Sequence, residues 1–183
     1  MTNIAKAIQQ YPELASEIDE IIAIGGTFSE ELSPPEFNIH CDPTAADLVL
    51  RSGIKITMIG LNVSGQIVFR QDEFNKLDGS SQALSLLKEQ AEGWITRVEE
   101  MGWHERSCAL HDAVAALYLI EPGIFNTTNA VIEISLDKDH WGMTSIQKKN
   151  SASNHQIVTH VKVKKCHDQI WSSIVQLEEK NDG

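Results

Sequence analysis

The chain has 183 residues, enough for one domain with its own hydrophobic core. Its formal net charge of −11 argues against binding to nucleic acid or to an anionic membrane surface, and its 42% hydrophobic content is ordinary for a globular protein. The sequence has no apolar run long enough to span a membrane, no secretory signal and no cysteine pattern typical of disulfide frameworks or zinc sites, so we expect a cytoplasmic protein.

The first third of the chain has the pattern of a strand–helix–strand unit. A β-branched run stops at Gly25-Gly26, and Asp42-Pro43 has the residue types of a helix N-cap and first turn. The predicted elements are a helix over residues 3–11, a buried strand over 18–24, a loop over 27–35, a helix from 42 to about 52 and a second buried strand over 54–61. This order indicates a right-handed crossover and therefore a parallel sheet.

The rest of the chain alternates helices and strands. The predicted elements are helical pieces over residues 69–77 and 83–98, an apolar helix that opens at His111-Asp112 and closes at Glu121-Pro122, strands over 130–136 and 157–163, and a terminal amphipathic helix over 166–177 with Trp171 on its apolar side. Together the elements predict an α/β fold.

Polar segments follow the two predicted parallel strands. Ligands of parallel α/β sheets bind beyond the carboxyl ends of the strands. The loops after Ile24 and Leu61 fall there, and the loop before His111 can reach the same edge. We therefore expect these three segments to converge on one pocket.

The pair His111-Asp112 allows two interpretations. Asp112 could cap the following helix, which would stabilise it by about 1 kcal/mol through backbone N–H bonds and the helix dipole. Alternatively, Asp112 could bind a metal or a hydroxyl group, with His111 as a proton donor beside it. The residues alone leave both interpretations open. Trp94 and Trp103 precede the pair and could stack on a base, but we expect them to pack in the core.

Six segments occur in the order found in the inosine–uridine preferring nucleoside hydrolase family, which the chain resembles over nearly its whole length. They are Thr2-Asn3-Ile4-Ala5; Ile24-Gly25-Gly26; Glu36-Phe37-Asn38 with Asp42-Pro43; Gly60-Leu61-Asn62-Val63-Ser64; and Leu110-His111-Asp112-Ala113, followed by Trp141-Gly142-Met143-Thr144. The resemblance implies a parallel, Rossmann-like sheet and hydrolysis of the N-glycosidic bond of ribonucleosides to base and ribose, as in purine salvage.

The resemblance also implies roles for individual residues. Asp112 matches a Ca²⁺ ligand that contacts the ribose hydroxyls, and Thr2 matches a residue whose backbone carbonyl binds the same ion. Glu36 and Asn38 match the pair that hydrogen-bonds the sugar. His111 matches a residue that protonates the departing base in purine-type members, a role suited to imidazole. The implied cofactor is therefore Ca²⁺, which prefers oxygen ligands.

The chain departs from the family pattern at several positions. The Asp-x-Asp-x-x-x-Asp-Asp segment, which supplies the general base and most calcium carboxylates, is absent, and Asn62 and Gln147 stand where aspartate is usual. The resemblance covers roughly the C-terminal half to three-fifths of a member. We therefore expect residues 1–183 to form a single domain that lacks the N-terminal strands and holds an incomplete calcium site.

Two functions remain compatible with these residues. In the first, the chain is the C-terminal part of a truncated or split nucleoside hydrolase that is inactive alone and works with a complementary N-terminal half. In the second, it is a non-catalytic remnant that binds a sugar-like ligand weakly or acts as an interaction module. Because the missing strands would leave a sheet edge exposed, we also expect a homo-oligomer or a marginally stable chain.

Overall fold

The computed structural model describes residues 1–28, 35–79, 81–103, 105–147 and 153–179. These residues divide into two compact units. The first unit consists of residues 1–64 and 121–161, and the second of residues 65–120 and 162–183. Among the described residues, no helix is both long and apolar enough to cross a bilayer.

Helices and strands alternate along the chain. The helices are α1 (Thr2–Gln10), α2 (Leu14–Glu17), α3 (Phe37–Cys41), α4 (Pro43–Leu50), α5 (Leu61–Ser64), α6 (Gln71–Phe74), α7 (Gln82–Glu100), α8 (His111–Ile120) and α9 (Val163–Glu179), with short 3₁₀ turns at Pro122–Ile124 and Lys138–His140. The strands are β1 (Glu20–Ile24), β2 (Lys55–Ile59), β3 (Val68–Arg70), β4 (Ser107–Ala109), β5 (Phe125–Asn129), β6 (Val131–Ile134), β7 (Thr144–Gln147) and β8 (Gln156–Val161).

The first unit is built on a four-stranded sheet in the order β1-β2-β8-β5. β1 runs parallel to β2, with Glu20 opposite Lys55 and Ile24 opposite Ile59, and β8 runs parallel to β2. β5 is antiparallel to β8, so the sheet is mixed, whereas the sequence predicted a parallel sheet. The antiparallel strand was missed because β5 is mostly polar and exposed on the edge of the sheet.

One face of this sheet packs against α1, α4 and the β6–β7 hairpin. α4 begins as predicted, with Asp42 accepting the N–H of Ala45 and Pro43 in the first turn. The buried core there is formed by Ala5, Ile8, Ile39, Ala45, Ala46, Val49, Leu50, Ile54, Ile56, Met58, Ala130, Ile132, Ile134 and Ile157. The predicted strand–helix–strand unit is therefore present, and its helix covers the sheet.

The second unit combines a short antiparallel pair, β3 with β4, with helices α6 to α9. α7 ends in a turn where Gly102 adopts a φ of +70° and the N–H of Trp103 bonds the carbonyl of Val98, an arrangement that favours glycine. Trp171 of α9 packs against Phe69 and Phe74. Its predicted place on the apolar side of this helix is therefore confirmed.

The three cysteines are free thiols with different exposure. Cys108 on β4 and Cys166 on α9 are buried, and burial raises the pKa of each thiol to about 11. Cys41, the last residue of α3, is exposed.

Several predicted elements differ from the structure. The strand predicted as buried over 18–24 begins at Glu20 and is only half-buried at every residue, because β1 is the outermost strand of the described sheet. The helix predicted from Phe69 begins at Gln71, since Phe69 belongs to β3 and pairs with Cys108. The loop predicted over 27–35 lies largely outside the described residues.

The expectation that Trp94 and Trp103 pack in the core is wrong. Trp94 is 46% exposed on α7, and Trp103 is 64% exposed just beyond the end of that helix. The buried side of α7 is instead formed by Leu84, Ala91, Ile95 and Val98, which recur at helical spacing.

Candidate functional site

Polar groups of the first unit surround the carboxyl ends of β1 and β2. We call this group the strand-end cluster, and it comprises Gly25–Phe28, Glu36, Gly60, Asn62 and Thr144. The backbone of the cluster is joined by two hydrogen bonds, from the N–H of Gly25 to the carbonyl of Ile59 and from the N–H of Leu61 to the carbonyl of Gly26. The cluster therefore brings four of the segments singled out in the sequence to the carboxyl end of the sheet, the edge where ligands of such folds bind.

Glu36 lies inside this cluster and is 4% exposed. One carboxylate oxygen accepts the N–H of Asn38 at 2.9 Å, and the other accepts the N–H groups of Ile39 at 3.1 Å and Gly26 at 3.2 Å. Glu36 thus caps α3 and ties it to the end of β1. These three bonds from backbone donors compensate the desolvation of the carboxylate, which would otherwise be costly to bury.

Two further side chains fix the backbone after Gly26. The hydroxyl of Thr144 accepts the N–H of Thr27 at 3.0 Å and lies 3.3 Å from the carbonyl of the same residue, to which it can donate. The side-chain oxygen of Asn62 accepts the N–H of Phe28 at 3.2 Å. The backbone after β1 is therefore held from the N-cap of α3, from α5 and from β7.

Glycine is required at two positions in this cluster. Gly26 has a φ of +75°, and a Cβ atom there would lie 2.9 Å from the ring of Phe28. A Cβ atom on Gly60 would lie 2.4 Å from the side-chain oxygen of Asn62 and 3.1 Å from the carbonyl oxygen of Gly26. A side chain at Gly26 would strain the backbone, and a side chain at Gly60 would displace Asn62 and crowd the carbonyl of Gly26.

Asn38 and Phe37 lie on the exposed side of α3. The amide nitrogen of Asn38 is 3.5 Å from the carbonyl of Ile24, at the limit of a hydrogen bond, and the residue is exposed. Phe37 is 75% exposed. Asn38 therefore presents an amide to solvent beside the strand-end cluster, and a bound molecule could reach it.

Thr2 lies at the start of α1 and contacts the N-cap of α4. Its hydroxyl donates to Asp42 at 2.6 Å. This bond holds the pKa of the Asp42 carboxyl below its usual value of 3.8. The hydrogen bond from the N–H of Ala45 has the next largest lowering effect. As the first residue of a helix, Thr2 has a carbonyl that points along the helix axis towards Lys6 and retains a second lone pair.

His111 and Asp112 belong to the second unit. α8 begins at His111, so Asp112 is the second helical residue rather than the N-cap, and it is exposed in the first turn. The helix dipole favours a negative charge at this place. The predicted convergence of this pair with the loops after β1 and β2 stays a prediction.

The residues predicted to bind calcium offer few ligands. Asp112 supplies a carboxylate and Thr2 a backbone carbonyl, whereas Ca²⁺ takes 6–8 oxygen ligands in proteins. Within the described ranges, no group of three or more His, Cys, Asp or Glu side chains could hold a metal ion. The described donor set therefore does not fit a calcium ion by itself.

The family of this chain follows from its sequence match to a family model. A family model described as inosine-uridine preferring nucleoside hydrolase matches residues 1–168. The chain belongs to this family. Among its curated relatives, the pyrimidine-specific ribonucleoside hydrolase RihA of Photobacterium profundum is 31% identical over 158 residues, which cover 84% of this chain and 51% of that protein. The inosine-uridine preferring nucleoside hydrolase of Crithidia fasciculata is 26% identical and is covered over 58% of its length.

Solved structures of nucleoside hydrolases have the same fold. A purine-preferring ribonucleoside hydrolase from Gardnerella vaginalis superposes with a TM-score of 0.85 at 28% identity, over 96% of this chain and 58% of that one. The plant nucleoside hydrolase PpNRh1 superposes with a TM-score of 0.84 at 21% identity, which supports the fold alone. The α/β prediction is thus confirmed, and the chain spans about half the length of the curated relatives it matches.

The structure brings some of the predicted site residues of this nucleoside hydrolase chain together. Glu36 is the N-cap of α3 and accepts the N–H of Asn38, the second residue of that helix, and Thr2 is bonded to Asp42, which directly follows α3. The capping role of Glu36 was missed because glutamate is not among the residues that typically cap helices. The anchoring role of Thr144 also had no sequence signal, since Thr144 and Thr27 are far apart in the chain.

Proposed function

We propose that this chain binds ribonucleosides and supplies part of the machinery that hydrolyses their N-glycosidic bond to base and ribose. The observation that carries the proposal is the strand-end cluster, in which four segments typical of the family are joined by hydrogen bonds at the carboxyl end of a parallel strand pair. Membership of the nucleoside hydrolase family supports the same conclusion.

In this proposal the ribose contacts come from α3. Asn38 offers an exposed amide that can donate to one hydroxyl group and accept from another. Glu36 uses its oxygens on three backbone N–H groups, which leaves one of about four lone-pair directions for a sugar hydroxyl. Its main effect would be to fix the backbone that carries Asn38.

The chemical step would use His111, with Asp112 beside it. An imidazole can donate a proton to the departing base near neutral pH, and proton transfer of this kind contributes about 10²–10⁴-fold to a rate. Asp112 is exposed and can accept hydrogen bonds from hydroxyl groups of the ribose. Because the described donor set does not fit calcium, no step is assigned to the ion, and calcium binding by Asp112 and Thr2 stays a prediction.

Turnover by the chain alone is the first test. We expect the purified 183-residue chain, incubated with inosine or uridine and Ca²⁺, to release no base above background, because the sequence lacks the aspartate-rich segment that supplies the general base. Base release would be followed by chromatography. Hydrolysis at rates well above the uncatalysed reaction would contradict the expectation that the chain is inactive alone.

Binding is the second test, because it does not require turnover. Isothermal titration of the chain with inosine is expected to give a measurable affinity that falls at least fivefold in Asn38→Ala. Asn75→Ala is the matched control, since Asn75 is an exposed asparagine at the end of α6. Equal affinity for both variants would exclude Asn38 from the site.

A non-catalytic binding module is the second candidate function, and the shortfall of calcium ligands favours it. The two candidates differ in their response to a polypeptide that carries the family's Asp-x-Asp-x-x-x-Asp-Asp segment. A split hydrolase should gain inosine hydrolysis when this polypeptide is added to the chain, and the gain should vanish in Asp112→Ala. A module would bind inosine but gain no turnover.

A further inference from the structure

α8 of the second unit is apolar on two opposite sides. Its residues 113–120 include no charged side chain. Val114 and Leu117 form the buried side, and α8 packs on α9. A helix that is apolar all round is typical of the interior of a large protein, where every side of the helix is covered. We therefore expect a second contact on the side of α8 that lies away from Val114 and Leu117.

This other side carries a stripe of exposed apolar side chains. We call Ala116, Leu119 and Ile120 the outer stripe of α8. Leu119 is 69% exposed and Ile120 is 80% exposed, and Ala116 is exposed as well. Residues three and four positions apart lie on one face of a helix, so the three side chains form one continuous surface. In the part of the chain that the structure describes, this surface is open to solvent.

The outer stripe continues a face that begins at Asp112. Asp112 precedes Ala116 by four residues and Leu119 by seven, so its exposed carboxylate lies on the same face of α8. At a rise of about 1.5 Å per residue, the face is about 12 Å long from Asp112 to Ile120. A molecule that covers the outer stripe therefore also lies beside Asp112.

The exposed apolar side chains of α7 are mixed with charges, unlike the outer stripe. Trp94 is exposed on α7, but Glu92 precedes it closely and Arg97 lies three residues further along the same side. Arg97 in turn lies 4.0 Å from Glu100. This pattern is typical of a helix side that faces water, whereas residues 113–120 of α8 carry no charge.

A second copy of α8 is a poor partner for the outer stripe. Antiparallel pairing around Ala116 would place Asp112 of each copy opposite Ile120 of the other, which would desolvate a carboxylate against an apolar side chain. Parallel pairing would bring two Asp112 carboxylates together, and like charges repel each other. The face is better matched by a different surface, one that is apolar along the stripe and polar at Asp112.

The length of the relatives points to the polypeptide that supplies such a surface. The chain covers 51% of RihA from Photobacterium profundum and 58% of the nucleoside hydrolase from Gardnerella vaginalis. About half of a relative's chain therefore has no counterpart in the matched residues. In the proposed split hydrolase, a polypeptide from that unmatched part gives turnover that depends on Asp112, so it has to reach the face that Asp112 shares with the outer stripe.

We propose that the outer stripe of α8 is the docking surface for a polypeptide that carries the unmatched part of the nucleoside hydrolase fold. The proposal rests on the proposed function, in which this polypeptide completes the hydrolase. Apolar side chains of the polypeptide cover Leu119 and Ile120, and its polar groups face Asp112. Removal of these exposed apolar side chains from water drives the docking.

Co-expression tests the docking directly. The tagged polypeptide is the part of Photobacterium profundum RihA that lies before its matched segment, and the amount of chain retained with it is measured after affinity purification. We expect wild type to be retained and Leu119→Lys to lower the retained fraction at least fivefold, because lysine places a charge in an apolar contact. Leu86→Lys, which alters an exposed leucine on α7, is the matched control and should be retained like wild type. Equal retention of the two variants, whether high or low, or no retention of wild type, would overturn the proposal.

A second variant and two measurements separate docking from folding and from nucleoside binding. Ala116→Arg blocks the middle of the outer stripe and should lower retention as Leu119→Lys does, and circular dichroism should show that both variants are folded, since both positions are exposed. Inosine titration of the chain alone should give the same affinity for Leu119→Lys as for wild type. A wild-type chain that binds no inosine would contradict the proposed function without affecting the docking result. If Leu119→Lys abolished self-association of the chain in sedimentation velocity while its retention stayed unchanged, the outer stripe would pair two copies and the proposal would be wrong.

Discussion

At the scale of single residues, Glu36 shows how backbone N–H groups can stabilise a buried carboxylate. Its oxygens accept three N–H groups, two from the first turn of α3 and one from Gly26 at the end of β1. A glutamine of the same shape would place an amide N–H₂ against at least one of those donors. The three hydrogen bonds therefore depend on both the negative charge and the shape of Glu36.

Replacing Glu36 by Gln should destabilise the chain by about 1–3 kcal/mol, the usual effect of leaving buried donors without an acceptor. Urea denaturation followed by circular dichroism would measure the change. Glu13→Gln is the control, because Glu13 is exposed and its side chain caps nothing in α2. A Glu36→Gln variant as stable as this control would mean that the three bonds contribute little.

The bond between Thr2 and Asp42 predicts a pH-dependent effect. The folded-state pKa of Asp42 is held below 3.8, chiefly by the hydroxyl of Thr2, so the folded chain binds this proton less readily than the unfolded chain does. The resulting stabilisation is present above pH 3.8 and is lost as the pH falls through the lowered pKa.

Thr2→Val should therefore be less stable than wild type at pH 6, and the difference should shrink as the pH falls below 3.8 and through the lowered pKa of Asp42 in the wild type. Urea titrations at pH 6 and pH 3 would measure it. Thr44→Val is the matched control on the exposed side of α4. A difference that is the same at both pH values would contradict the assignment to Asp42.

At the scale of elements, local sequence signals determined what could be predicted. The unit from β1 through α4 to β2 was predicted because Asp42-Pro43 marks a helix start and a β-branched run precedes Gly25-Gly26. β3 and β4 were missed because each has three residues, too few to show a period, and they pair only through tertiary contact. Phe69 was assigned to a helix for the same reason.

The N-terminus of α7 provides a test at this scale. The hydroxyl of Ser81 accepts the N–H of Leu84 at 3.2 Å, so Ser81→Ala should destabilise the chain by about 1 kcal/mol. Thermal unfolding would measure the change. In the control Ser85→Ala, which lies inside the helix on an exposed position, the stability should stay equal or rise slightly, because alanine favours helices.

At the scale of the whole molecule, the sequence predicted the family and the α/β fold, because matching segments occur in the right order along the chain. It predicted fewer details of the site. Glu36 and Asn38 lie side by side, but the cap formed by Glu36 and the anchoring of Thr27 by Thr144 depend on contacts between distant segments. The assigned roles of His111, Asp112 and Thr2 remain predictions.

The edge of the first-unit sheet leads to a prediction about association. β1 is outermost in the described sheet, its apolar residues are half-buried, and the charge of Glu20 is paired with Lys55. Apolar edge strands of this kind tend to pair with another strand. Sedimentation velocity should therefore show association that increases with protein concentration.

Ile22→Lys should weaken this association, because a lysine on an edge strand opposes pairing. Leu86→Lys is the control, since Leu86 is an exposed leucine on α7 and belongs to no sheet. Circular dichroism should confirm that both variants are folded. A wild-type chain that stays monomeric at every concentration would argue against pairing through β1.

The unequal burial of the three cysteines makes the unmodified chain suitable for site-specific labelling. Cys108 and Cys166 are shielded and weakly acidic, so a maleimide dye at pH 7 should react with Cys41 alone, and intact mass spectrometry should show a single adduct until the chain is denatured. Cys41 shares α3 with Asn38. A fluorophore attached there would report nucleoside binding without any engineered mutation.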